Sequence, residues 1–221
     1  GLVDAAPHRA ELPPTYNAYA EAPEDALDDH RALLRPLLMT SFLLDDFLGE
    51  AGGLTSLVLS SASSKTAMGL AWFARTRGLE VVGLSSPANA TQLGSLGLYD
   101  RVLTYGEADA VSCRRPAAYV DFAGDAAVTA TVHGALGDRL VRSVIVGGTH
   151  WQAPRASEPP PGPAPALFFA PDQIRKRMAD WGPGELDRRF ADALRAFVAD
   201  AGWLRLVRHQ GSEGLLNAYA E

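Results

Sequence analysis

The residues able to do chemistry crowd into one stretch, Ser60-Ser61-Ala62-Ser63-Ser64-Lys65-Thr66-Ala67-Met68-Gly69. It follows the apolar run Leu57-Val58-Leu59 and leads into Leu70-Ala71-Trp72-Phe73-Ala74-Arg75, a pattern that predicts a buried strand, a tight turn and a helix. Such a turn leaves backbone N–H groups unpaired and aims the positive end of the helix dipole outward, which suits a phosphate. Lys65 stands at the helix start, and the only other lysine is Lys176. A cation beside a phosphate is a sound use for it; a solvent-facing lysine in the first turn is the plainer one. A P-loop would need glycine at positions 59 and 64, where Leu59 and Ser64 stand, so that motif is excluded. A dinucleotide turn wants Gly-x-Gly-x-x-Gly for close approach of the backbone to a pyrophosphate. Here serine and alanine fill those places, with Ala67 at the third, which makes a serine-for-glycine turn.

The elements that must hold this turn follow from periodicity. Residues 1–25, with Pro7, Pro13, Pro14 and Pro23, read as an extended arm or linker, and residues 26–221 as one cofactor-binding domain. Leu33, Leu34, Leu37, Leu38, Phe42, Leu43, Phe47 and Leu48 recur at helical spacing, with Pro36 expected to divide a short helix from a longer one. After the strand, turn and helix come strands at 79–84, 102–104, 117–122 and 140–147, with helices after the second and fourth. The stretch 153–165, six prolines in thirteen residues, reads as a mobile loop. Leu167-Phe168-Phe169 reads as a strand, 172–181 and 185–201 as helices, Leu204-Arg205-Leu206-Val207 as a last strand candidate, and Ser212 as the cap of a final helix. Strands alternating with helices predict an α/β, Rossmann-like, doubly wound parallel sheet with flanking helices. Ligands of such sheets bind beyond the carboxyl ends of the strands. That edge collects Ser60 to Thr66, Ser85 to Asn89, Thr104-Tyr105, Phe122 to Gly124 and Gly147 to His150. An acidic residue at the end of the second strand would repel a 2′-phosphate; neutral Ser85-Ser86 favour NADP over NAD.

Composition narrows the classes. With 221 residues, 47% hydrophobic and 21% charged, the chain can bury a substantial core. A net charge of −6 without a large basic cluster speaks against nucleic acid as a partner. The single cysteine, Cys113, leaves no disulfide framework and no cysteine metal cluster. His8, His30 and His209 lack metal-ligand spacing, so no metal is expected, and His133 reads as structural. Without an apolar run of membrane-spanning length, the membrane is not an expected partner and the cytoplasm is the expected location. Paired Asp121 and Asp125 read as capping and solvated residues rather than an acid/base couple. No Gly-x-Ser-x-Gly elbow is present, so a serine hydrolase of the α/β kind is unsupported.

The segments Ser60 to Gly69, Val82-Gly83-Leu84-Ser85-Ser86 and Leu96-Gly97-Leu98-Tyr99-Asp100-Arg101-Val102-Leu103-Thr104-Tyr105 resemble the cofactor domain of medium-chain dehydrogenases/reductases of the quinone-oxidoreductase branch. Together with Arg35-Pro36-Leu37, Thr40 to Phe47, Tyr119 to Asp125 and Gly147-Gly148-Thr149-His150, they resemble an uncharacterised domain-of-unknown-function family related to that superfamily. The resemblance implies a missing GroES-like catalytic domain, toward which residues 204–221 would return. It also implies that Tyr105 lies near a 2′-phosphate and Ser86 in the second turn. Ala90 stands where relatives carry lysine, so Lys65 or Asn89 would substitute.

The expectation is an NADP-dependent reductase-like protein that moves hydride to a carbonyl or conjugated double bond of a small-molecule substrate, without zinc. Its cofactor contacts would be Ser61, Ala62, Ser63, Ser64, Lys65, Thr66, Ser85, Ser86, Asn89, Tyr105, Phe122, Gly147 and Thr149. Thr40 and His150 are the catalytic candidates, His150 for proton movement near neutral pH. The alternative is a degenerate Rossmann domain that binds a nucleotide, an acyl carrier or another partner without redox turnover. A third reading is a homodimerisation unit using the edge near Phe168-Phe169.

Overall fold

A computed structural model describes residues 1–12, 16–19, 21, 24–50, 52–148 and 159–220. Its centre is a six-stranded, all-parallel sheet built from β3 (Ser56–Leu59), β4 (Glu80–Ser85), β5 (Arg101–Thr104), β6 (Ala117–Asp121), β7 (Leu140–Ile145) and β8 (Ala166–Leu167). The strand order is β5-β4-β3-β6-β7-β8. The chain winds outward from β3 in one direction, then returns to β6 on its other side, so the winding reverses between β3 and β6. This is the doubly wound Rossmann order. Every residue of β3 and β6 is buried, as expected of central parallel strands covered on both faces. Alternation divides them: Leu57 and Leu59 face one layer of core, Val58 and Tyr119 the other.

The first layer is made by α1 (Asp28–Glu50), α2 (Lys65–Thr76), α3 (Pro87–Ser95) and α5 (Ala170–Trp181); the second by a 3-10 segment, Tyr105–Ala110, and α4 (Ala126–Leu136). Outside α1 and α2 lies α6 (Pro183–Asp200), whose Phe190, Leu194 and Phe197 pack on Leu34, Leu38 and Phe73. Edge-on aromatic pairs line this seam, Phe42 with Phe190 at 6.0 Å and Trp72 with Phe197 at 5.5 Å. A last helix, α7 (Gly211–Ala220), has no buried residue.

Two local expectations change. Pro36 does not divide α1: the helix runs unbroken through it. Pro36 and Ala32 both face solvent, so the carbonyl that loses its N–H partner is not buried, while Leu34 and Leu38 anchor the turns on either side. Leu204 to Val207 form no strand. They lie against helices, which offer side chains rather than a backbone ladder. Among the described opening residues, two short extended segments pair. β1 (Leu2–Val3) pairs antiparallel with β2 (Ala18–Tyr19), and the buried Asn17 amide donates to the Arg9 carbonyl at 2.7 Å across the turn.

The edge strand β8 exposes Leu167 but turns Phe168 inward against Phe47, ring centres 5.5 Å apart. Of the proline-rich stretch, residues 159–165 are described; Pro161 accepts a hydrogen bond at 2.7 Å from Nδ1 of His133, whose Nε2 pairs with Ser143 Oγ at 2.9 Å. His133 is therefore structural, and burial holds its pKa below the ordinary value.

Candidate functional site

The turn between β3 and α2 sits at the carboxyl edge of the sheet, beside the point where the winding reverses. Ser64 caps α2: its side chain accepts from the Ala67 N–H at 3.2 Å. The Ser64 N–H itself bonds back to the Ser61 carbonyl at 2.8 Å, and the Ala62 N–H reaches across to Leu84 of β4 at 2.9 Å. The N–H groups of Lys65 and Thr66 have no acceptor among the described residues, so two donors and the helix dipole point outward. The Lys65 side chain is exposed and has no ion-pair partner among the described residues.

The turn does without glycine at one cost. Ser61 adopts φ 47°, the left-handed region that glycine enters freely. Its N–H is held by the Tyr105 hydroxyl at 2.9 Å, which fixes the strained residue from the neighbouring 3-10 segment. Burial pushes the Tyr105 phenol up from its ordinary pKa, so the hydroxyl keeps its proton.

Below the turn is a buried clamp. Ser60 Oγ donates to Asp121 Oδ1 at 2.7 Å and accepts from the Phe122 and Ala123 N–H groups at 2.8 and 3.0 Å. The same Asp121 oxygen accepts from the Ala123 and Gly124 N–H groups at 2.9 and 3.1 Å. The ends of β3 and β6 are thus tied together where the winding reverses. Gly124, with φ 73°, allows the next approach: a Cβ there would meet Gly148 Cα at 2.8 Å, so the turns after β6 and β7 touch.

On the β4 side, Ser63 Oγ accepts from Asn89 Nδ2 at 3.1 Å and lies 3.4 Å from Ser85 Oγ. Tyr99 OH donates to the Ala62 carbonyl at 2.7 Å. That contact requires Gly83, because a Cβ there would press within 2.9 Å of the Tyr99 ring. The end of β4 carries Ser85, buried, and Ser86, half-buried, with no carboxylate.

The structure therefore gathers Ser61 to Thr66, Ser85, Ser86, Asn89, Tyr105, Phe122 and Gly147 at one edge, with Phe122 largely buried and Gly147 exposed. Thr149 and His150 lie outside the described residues. Thr40 is not bonded to the turn: its hydroxyl donates to the Pro36 carbonyl at 2.9 Å within α1. Its neighbour Ser41 makes the contact instead, donating to the Thr66 carbonyl at 2.7 Å. Sequence reasoning missed Ser41 and the Ser60–Asp121 pair; the signal for Ser41 was a polar residue on the apolar stripe of α1. Among the described residues no cluster of histidine, cysteine or acidic side chains could hold a metal ion, and no helix is long and apolar enough to cross a membrane.

Solved structures that superpose on this chain include proteins described as reductases. A protein assigned as an NADPH:quinone reductase from Mesorhizobium loti superposes with a TM-score of 0.60 at 15% identity, over 86% of this chain and 55% of that one. A mutant enoyl thioester reductase from Candida tropicalis gives 0.57 at 12% identity, over 86% and 59%. E. coli YhdH with bound NADPH gives 0.50 at 22% identity, over 82% and 55%. The chain thus spans less than two thirds of each, and at these identities the likeness is one of fold. No curated protein matches the sequence. The family model that does match, over residues 1–221, is that of the proteins of unknown function called DUF2855; the chain belongs to this family, and its fold is the Rossmann-like one of these solved structures.

Proposed function

We propose that the chain is the cofactor-holding part of an NADP-dependent reductase. The observation that carries this reading is the pair of unpartnered amides, Lys65 and Thr66, at the start of α2 and beside the winding reversal. The residues present fit that group. Two amides suit a pyrophosphate, and the neutral hydroxyls of Ser85 and Ser86 stand where a carboxylate would repel a 2′-phosphate. When bound, the cofactor supplies the hydride. The chain's part is to position it: Ser63, Ser64, Lys65 and Thr66 at the pyrophosphate, and Ser86, Asn89 and Tyr105 toward the 2′-phosphate. Ala90 brings no cation, so Lys65 carries the positive charge of the site.

The substrate on this reading is a small molecule with a carbonyl or conjugated double bond, the acceptors that take a hydride. Fluorescence titration with NADPH and NADH tests the proposal: NADPH is expected to bind at least about tenfold more tightly than NADH, and failure of both to bind the folded chain would remove it. In Lys65→Ala, NADPH affinity is expected to fall about tenfold, the loss of one charge-assisted contact.

A further inference from the structure

A cavity of about 300 Å³ lies beside the turn, on the side away from Tyr105. Its walls are mainly apolar, with Leu34 and Leu38 from α1, Met68 from α2, Leu93 from α3, Leu96 just after it and Trp203 from the segment after α6, while Ser63, Asn89 and Gln92 add neutral polar groups at its rim. Two cations stand in its lining, Lys65 and Arg205, with no Asp or Glu beside them. Neither has an ion-pair partner among the described residues. Most other arginines of the chain are paired, Arg75 with Asp100 at 3.0 Å and Arg77 with Asp45 at 2.8 Å among them. An apolar hollow with two unneutralised cations matches a ligand that has an apolar body and a charged head.

We infer that this cavity, which adjoins the turn and shares Ser63, Lys65 and Asn89 with it, takes an amphipathic organic anion whose aliphatic part lies between α1 and α3 and whose carboxylate or phosphate meets Lys65 and Arg205. The inference does not rest on nucleotide binding and stands if NADPH fails to bind. Leu204 and Arg205, which follow α6, line the hollow. The segment they form closes one side of the hollow, with Trp203 packed edge-on against Phe197 at 6.1 Å.

Calorimetric titration of the chain with octanoate, octyl phosphate, octanol and inorganic phosphate tests it. At least one of the two octyl anions is expected to bind about tenfold or more tightly than either octanol or inorganic phosphate, and the better of the two identifies the head group. Arg205→Glu, an exposed change, is expected to weaken that binding about tenfold or more, and Leu93→Trp to block it by filling the hollow. Circular dichroism separates blocking from misfolding for Leu93→Trp; should that variant unfold, Arg205→Glu decides alone. Equal binding of octanol, binding of neither anion, or unchanged affinity in Arg205→Glu would overturn the inference.

Discussion

Asp121 is 4% exposed and serves three donors through one oxygen, Ser60 Oγ and the N–H groups of Ala123 and Gly124. Asp121→Ala would deprive the Ser60 hydroxyl and the Gly124 N–H of their acceptor while the Ala123 N–H keeps Ser60 Oγ, at about 3 kcal/mol, which urea unfolding would register as a lower midpoint. Asp121→Asn keeps an acceptor and is expected to lose less. Asp45 makes the stability depend on pH. Burial pushes its pKa up to about 6, although the Arg77 guanidinium beside it pulls the other way. The folded state therefore holds this proton more tightly than the unfolded chain. Its contribution is fully present below the ordinary carboxylate pKa of 3.8 and is lost as pH rises through about 6. Urea midpoints at pH 4.5 and 7.5 are expected to show the wild-type chain falling relative to Asp45→Asn as pH rises.

Helix α2 packs on α1, and Gly69 sits at that contact. A Cβ there would lie 2.7 Å from Ser41 Oγ and 3.0 Å from Leu38 Cδ1, so the glycine is what lets Ser41 reach the Thr66 carbonyl. Gly69→Ala is expected to cost about 1–3 kcal/mol by overpacking, and to weaken NADPH binding as the first turn of α2 shifts. Chemical denaturation and nucleotide titration of the same variant check both parts. At this scale the sequence was readable where one physical rule dominated. Apolar runs bounded by turn residues gave β3, β4, β6 and β7, because central parallel strands are buried on both faces. Pro36 and Leu204 to Val207 misled because the outcome depended on what lay outside the segment: solvent over an unpaired carbonyl in one case, helices rather than a strand partner in the other.

At the level of the molecule, the edge that gathers Ser61 to Thr66 with Ser85, Ser86, Asn89 and Tyr105 was legible, since strand order fixes which turns meet. The clamp beneath it was not. Ser60 and Asp121 are 61 residues apart, and neither belongs to a spacing pattern that would announce their contact. The absence of glycine in the turn also takes a different meaning in three dimensions: Ser61 tolerates its left-handed backbone with its N–H held by Tyr105, and the serine hydroxyls cap α2 and bind its neighbours. The central claim is that the start of α2 holds a nucleotide pyrophosphate. Amide nitrogen–proton spectra of the chain with and without NADPH test it most directly. The account predicts that the Lys65 and Thr66 amide signals move furthest, together with those of Ser63 and Ser86; shifts confined to other parts of the chain, with Lys65 and Thr66 unmoved at saturating NADPH, would contradict it.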